Sequence, residues 1–219
     1  MNDLSRTSTD GGHILISGTG RAGTTLLVQY FTALGFDTGH TLETTRRQVD
    51  DLSNAGLEHG LHGRHGKRLP YVAKSPGFTS TLGPALDAGQ VRVRACIVPM
   101  RDLFEAAESR RAVSRRAEAD GRVGLPQPGS LTFGASRKPA GQEKQLAMQF
   151  YRLVHALVRH DVPTYFLRFP DFARGEQDLY DVPGPLLISH GVTADESAAA
   201  MSAVSRPDLI HSFTPDQPG

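Results

Sequence analysis

The chain has 219 residues, with 24 Lys and Arg residues, 23 Asp and Glu residues and a net charge of +1. This length predicts one domain with a sizeable buried core, and the balanced charge gives no general attraction to nucleic acid or to a membrane surface. The single cysteine excludes a disulfide framework and suits a reducing compartment. Because residues 1–12 are polar and no apolar run could span a bilayer, we expect neither signal peptide nor anchor, and a cytoplasmic location.

Apolar runs and turn residues predict strands that alternate with helices from residue 13 onward. The predicted order is strand 13–17, helix 24–34, helical segment 42–56, strand 70–74, helix 78–88, strand 91–98, helix 101–118, helix 142–160, strand 164–169 and a helical tail. Gly35 is the expected C′ glycine of the first helix, and Thr193 with Glu196 forms a capping-box pattern at the start of the tail. This alternation predicts an α/β fold, a three-layer sandwich with a central parallel sheet.

The predicted domain spans residues 13–205, between a flexible N-terminal tail 1–12 and a C-terminal tail 206–219. It contains neither an internal repeat nor a low-complexity tract.

The first strand leads directly into a glycine-rich loop that reads Gly18-Thr19-Gly20-Arg21-Ala22-Gly23-Thr24-Thr25. A strand, a glycine loop and a helix N-terminus in this order form a phosphate cradle, because backbone N–H groups and the helix dipole attract an anion. The spacing nearly matches the nucleotide-triphosphatase P-loop G-x-x-x-x-G-K-[ST]. Here Thr24 replaces the lysine and Arg21 is the strong cation of the loop. The sequence therefore predicts phosphate binding without the equipment for a triphosphate and magnesium, and we expect no metal requirement.

The loop resembles the 5′-phosphosulfate loop, [PT]-x-[KR]-S-G-T-T, of sulfotransferases that use 3′-phosphoadenosine 5′-phosphosulfate (PAPS). Two further segments extend this resemblance. Arg101, at the end of strand 91–98, and Ser109, eight residues later, have the spacing at which the family binds the 3′-phosphate. Lys74, in the turn Lys74-Ser75-Pro76, resembles the lysine that reaches the reaction centre in carbohydrate-type members.

The resemblance implies PAPS as cofactor, with 3′-phosphoadenosine 5′-phosphate (PAP) as product. It implies that residues 18–25, Arg101 and Ser109 bind this cofactor, and that Arg21 and Lys74 act in catalysis. A guanidinium suits the binding of a phosphate dianion, because it donates paired, charge-assisted hydrogen bonds.

The resemblance also implies a general base after the first helix, and three residues are candidates. Glu43, in Glu43-Thr44-Thr45-Arg46, resembles the catalytic glutamate of the tyrosylprotein branch after a small shift, and it is our first choice. His40 resembles the histidine base of the cytosolic branch, and Glu58 is the third candidate. Each could accept a hydroxyl proton within hydrogen-bond reach.

These motifs predict a sulfotransferase that transfers a sulfuryl group from PAPS to a hydroxyl or amine of a small-molecule or carbohydrate acceptor. The alternatives are a P-loop kinase or nucleotide hydrolase, and a catalytically degenerate relative that binds a nucleotide. The Gly- and Pro-rich segment 120–141 is predicted to be a lid over the acceptor cleft.

Two basic segments remain. The first consists of the arginines beyond Ser109, which either steer the charged donor or form a solvated helix face: Arg110, Arg111, Arg115, Arg116 and Arg122. No aromatic residues are interleaved with them, which argues against binding of nucleic acid. The His-rich stretch 59–68 is predicted to be a solvated loop rather than a site for a metal or an anionic acceptor.

Overall fold

A computed structural model describes residues 6–7, 11–61, 68–122, 130–131, 138 and 140–213. Within these residues four strands form a parallel sheet: β1 (His13–Ile16), β2 (Val72–Lys74), β3 (Val93–Met100) and β4 (Thr164–Arg168). The helices are α1 (Thr24–Ala33), α2 (Leu42–Arg47), α3 (Phe78–Asp87), α4 (Leu103–Ala119), α5 (Gly141–Arg159), α6 (Asp171–Arg174), α7 (Gly184–Ile188) and α8 (Ala194–Val204). A short 3₁₀ helix, Pro207–Leu209, follows α8.

The sheet separates two apolar cores, which makes the fold a three-layer α/β sandwich as predicted. Successive side chains of a strand point to opposite faces. Ile14 and Ile16 therefore pack in one core with residues of α1, α7 and α8, whereas Leu15 packs in the other with residues of α3 and α5. Cys96 of β3 is fully buried in this second core, and burial raises the pKa of its thiol to about 12.

The strand order is β2-β1-β3-β4, so the chain leaves β1 toward one side and later returns to β3 on the other side. In an open parallel sheet, ligands bind beyond the carboxyl ends of the strands at such a switch point. The glycine loop follows β1 there, between residues that follow β2 and β3. The topology thus brings the motifs at three strand ends to one edge of the sheet.

Most predicted elements are present with slightly different ends, and two local signals are confirmed. Gly35 has a φ of +79° just beyond the last turn of α1, and Thr193 and Glu196 form the capping box of α8. The helical segment 42–56 was wrong beyond Arg47. There the Asp50 carboxylate accepts the N–H groups of residues 52 and 53, which favours a turn over a continued helix.

Segments outside the predicted domain also contact its body. The backbone of Arg6 bonds to residues 35 and 37, and the segment 206–213 packs near the end of β3. The domain bounds 13–205 stay a prediction. In the part of the chain that the structure describes, no helix is both long and apolar enough to cross a membrane.

Candidate anion-binding active site

The glycine loop after β1 has the backbone form of an anion cradle. Gly20, Arg21 and Gly23 all have left-handed backbone, with φ values of +73°, +60° and +79°. A Cβ at Gly23 would lie 2.8 Å from the ring of Phe172 and 2.9 Å from that of Phe169, so close packing also requires glycine there. Left-handed residues in a tight loop turn successive N–H groups inward, toward a common anion.

Arg21 is a non-glycine residue in this strained region, and its side chain links three segments. Its Nε donates to Ser109 Oγ at 2.9 Å, and its Nη1 donates to the carbonyl of Ser53. Its own carbonyl accepts a hydrogen bond from Arg101 Nη1 at 3.2 Å. Burial, and then the neighbouring guanidinium of Arg110, lower the pKa of Arg21 to about 10. Arg21 is therefore a cation with other cations around it, and this arrangement favours the binding of an anion in the loop.

Arg101 and Ser109 are brought together by Arg21, beside the same cavity. Arg101 also donates from Nε to Glu105 at 3.0 Å and from Nη2 to the carbonyl of His211. Each of its two terminal nitrogens carries two hydrogens, so hydrogens remain for a further acceptor.

Lys74, at the end of β2, forms an ion pair with Glu58 in which the lysine is buried and the carboxylate is partly exposed. Its Nζ donates to Glu58 Oε1 at 2.6 Å and to the carbonyl of Gly56 at 2.7 Å. The Lys74 side chain is 1% exposed, whereas that of Glu58 is 37% exposed. Burial lowers the pKa of Lys74, and the Glu58 carboxylate opposes this effect. A buried ammonium of this kind depends on its carboxylate partner.

The three candidates for a general base lie in different surroundings. Glu58 lines the cavity beside Lys74. Glu43 is 77% exposed on α2, where it pairs with Arg47 at 3.3 Å, and it is not among the described residues that line the cavity. His40 contacts the ring of His59 at 5.3 Å between centroids and is likewise absent from that lining. The structure thus brings only Glu58 of the three to Lys74.

The cavity has a volume of about 700 Å³, within the range of small-molecule sites. In the described part of the chain its lining carries a single carboxylate, that of Glu58, against six strong cations: Arg21, Arg46, Lys74, Arg101, Arg110 and Arg206. Arg101 and Arg206 pair with acids outside this lining, so Arg21, Arg46 and Arg110 carry the positive excess, and an excess of this kind in a cleft favours anionic ligands.

Arg110 lines the cavity, although the sequence indicated it only as one member of a basic cluster. Its guanidinium is buried, donates to the carbonyls of Thr19 and Ser130, and has no carboxylate partner among the described residues. Burial lowers the pKa of Arg110 to about 10. A signal was present in the sequence, because Arg110 lies on the helical stripe of Ala106, Val113 and Ala117, which are all buried.

The rest of the predicted basic cluster has other partners. Arg111 is also buried and donates to Glu108 and Glu143, so neither Arg110 nor Arg111 belongs to a solvated helix face. Arg115 and Arg116 are exposed, and Arg122 donates to Asp51.

Most of the predicted lid 120–141, and residues 62–67 of the His-rich stretch, lie outside the described residues. In the remainder of the chain no cluster of three His, Cys, Asp or Glu side chains could hold a metal ion.

Comparisons with known proteins give one similar structure. No family model matches the chain, and no curated protein sequence matches it. Among solved structures the chain is similar to the sulfotransferase domain from the Synechococcus PCC 7002 olefin synthase, with 15% sequence identity and a TM-score of 0.45. The similarity covers 97% of this chain and 88% of that domain. Similarity at this level assigns no activity, so the function must be argued from the site.

Proposed function

We propose that this protein is a PAPS-dependent sulfotransferase that acts on a hydroxyl or amine of a small-molecule or carbohydrate acceptor. The observation that carries the proposal is the Lys74–Glu58 pair beside the glycine loop, in a cavity dominated by cations. Sulfuryl transfer requires an anion cradle, a cation near the transferred group and a base for the acceptor. Residues from the ends of β1 and β2 and from the loop before β2 could supply all three in one cavity.

We assign the cationic residues of the cavity to the two anionic groups of the donor. The loop 18–25, with Arg21, would bind the 5′-phosphosulfate, while Arg101 and Ser109 would bind the 3′-phosphate. The buried Arg110, with no carboxylate partner in the described residues, adds positive charge that a bound anion would neutralise. PAPS, when bound, supplies the sulfuryl group as part of a reactive phosphosulfate anhydride.

Glu58 is the general base that the geometry favours. Lys74 donates to Oε1, and no described residue donates to Oε2, which leaves that oxygen available to accept the proton of an acceptor hydroxyl. The buried ammonium of Lys74 would stabilise negative charge that develops next to it. Glu43 remains a prediction from the resemblance alone, since its carboxylate is directed to Arg47.

The kinase alternative would need an acid directly at the end of β3, where the sequence reads Pro99-Met100-Arg101. The first acid after this strand is Asp102, whose carboxylate accepts the N–H of Glu105 and caps α4. A magnesium-dependent phosphotransferase would use an acid here to hold its metal. The use of Asp102 as a helix cap therefore argues against a magnesium-dependent phosphotransferase.

Calorimetry with PAP, ATP and GTP tests the ligand class. We expect PAP to bind and both triphosphates to bind far more weakly. Arg101→Ala should weaken PAP by roughly 30-fold or more, because a charge-assisted pair to phosphate is lost. Adenosine 5′-phosphosulfate, which has no 3′-phosphate, should bind the variant and the wild type alike. Tight ATP binding without PAP binding would overturn the proposal.

Transfer from radiolabelled PAPS tests the base. Glu58→Gln should lower kcat by about 100-fold or more, since proton acceptance is lost. Glu43→Gln is the matched comparison, because it removes the same charge from an exposed position. A large loss in Glu43→Gln with a normal Glu58→Gln would assign the role to Glu43 instead.

A further inference from the structure

One part of the cavity wall is apolar. It is formed by side chains from α1, from α2 and the turn after it, from α8 and from the segment beyond α8: Leu26, Leu42, Val49, Val204, Leu209 and Ile210. Four of these side chains pack against the main core and are only partly buried, so they keep surface toward the cavity: Leu26, Leu42, Val49 and Ile210. The wall is thus a continuation of the core that is open to a ligand.

Three polar side chains beside this wall, those of Gln29, Thr45 and Ser53, already bond to the protein. Gln29 Nε2 donates to the carbonyl of Thr45 at 3.3 Å, and Thr45 Oγ1 donates to the carbonyl of Leu42 at 2.8 Å. Ser53 Oγ donates to Asp50 at 2.6 Å and accepts the N–H of Ala55 at 3.2 Å. These three side chains keep little capacity for a ligand, so the polar contacts available beside the wall are few compared with its apolar surface.

This arrangement disfavours a carbohydrate in contact with the wall. A sugar carries a hydroxyl on nearly every carbon, and each one buried without a partner costs about 1–3 kcal/mol. An aliphatic or aromatic group loses only unfavourable contact with water. The ion pair of Lys74 and Glu58 lines the same cavity, so one molecule can contact both the wall and the carboxylate.

We propose that the acceptor is an amphipathic alcohol or phenol whose apolar body packs on this wall while its hydroxyl contacts Glu58. The inference rests on the proposed function and narrows its acceptor class from small molecules or carbohydrates to apolar alcohols. The sulfated product would then have an anionic head in the cationic part of the cavity and an apolar tail on the wall.

Simple alkyl sulfates, used below their micellar concentrations, are the probes for this arrangement. Calorimetry of the full chain with methyl, butyl, hexyl and octyl sulfate should show affinity that rises about 3- to 4-fold per added methylene, until the wall is covered. Glucose 6-sulfate should bind no more tightly than methyl sulfate. Affinity that is independent of chain length, or tighter binding of the sugar sulfate, would overturn the inference.

Variants of the wall locate the effect. Leu42→Ser and Val49→Ser should flatten the dependence on chain length, while Ile188→Ser, at a 59% exposed residue of α7, should leave it unchanged. Leu42→Phe keeps the wall apolar but fills space, so it should shorten the chain length that binds best, and it guards against misfolding of the serine variants. An unchanged dependence in all three wall variants would refute this assignment of the wall.

The binding of PAP separates the two proposals. If PAP binds but chain length has no effect, the acceptor inference fails and the proposed function stands. If neither PAP nor any alkyl sulfate binds, the proposed function fails as well.

Discussion

Glu58→Gln should destabilise the protein in a pH-dependent manner, independently of any activity. The substitution removes the carboxylate that compensates the Lys74 ammonium, which is 1% exposed. Breaking a fully buried ion pair costs about 3–5 kcal/mol. Because the Glu58 side chain is 37% exposed, water reaches this pair, and we expect a smaller loss of about 2–3 kcal/mol at pH 7.

The pH dependence follows from the titration of Lys74. Burial already lowers the pKa of Lys74, and loss of the carboxylate lowers it further. Between this folded pKa and the ordinary value of 10.5, the unfolded chain binds a proton that the folded chain does not bind. The free energy of unfolding then increases with pH, by at most about 1.4 kcal/mol per unit. The deficit of Glu58→Gln should therefore shrink as the pH rises from 7 toward 10.

Urea unfolding at several pH values measures this effect. Glu43→Gln, at a 77% exposed residue, is the control and should change stability by less than about 0.5 kcal/mol. Adding Lys74→Met to Glu58→Gln should restore stability and abolish the pH dependence, because the uncompensated charge is gone. A deficit for Glu58→Gln that equals the control, or that does not vary with pH, would refute the reasoning.

Three further predictions concern the charges of the site. Arg110→Gln should weaken PAP binding by about 10-fold or more. Arg115→Gln, at a 61% exposed residue of the same helix, should change it less than about 2-fold. Equal effects of the two variants in calorimetry would show that Arg110 does not contribute to the site. PAP at 100 times its Kd should raise stability by about 2.7 kcal/mol, because it binds only the folded chain, and a melting temperature that does not respond to bound PAP would contradict this. Burial lowers the pKa of His59 from 6.5 to about 4, so between these pH values the unfolded chain binds a proton at His59 that the folded chain does not bind. The free energy of unfolding should therefore fall, by at most about 3 kcal/mol, as the pH drops from 6.5 to 4. His59→Gln should flatten that part of the stability profile, and an unaltered profile would assign the loss to other groups.

The strand-end motifs were predictable because parallel strands end at one edge of the sheet. The loop at Gly18 and Arg101 each follow a buried strand, and Lys74 is the last residue of another. Their proximity needs only the α/β pattern and the order of the strands. The family resemblance then suggested roles for them, which no sequence spacing could test.

The choice among the candidate bases could not be made from the sequence. Glu43 and Glu58 both follow the first helix, and distance along the chain favoured Glu43. The turn that begins at Asp50 ends the helical segment, and the chain then returns to place Glu58 against Lys74. The hydrogen bonds to the Asp50 carboxylate and the isolated β-bridge between Val49 and Gly56 stabilise this path. Neither has a strong sequence signature.

Two of the residues that contact Arg101, His211 and Phe213, are synthesised long after Arg101 itself. Arg101 donates to the carbonyl of His211 and lies over the ring of Phe213, while Glu105 accepts the N–H of residue 213. The glycine loop is therefore synthesised early, whereas His211 and Phe213 are synthesised only after all eight described helices. A nascent chain that ends at residue 205 would carry the sheet, both apolar cores and the loop, but one nitrogen of Arg101 would lack its backbone acceptor. The Arg101 guanidinium therefore gains its full set of described contacts only after residue 213 has been made.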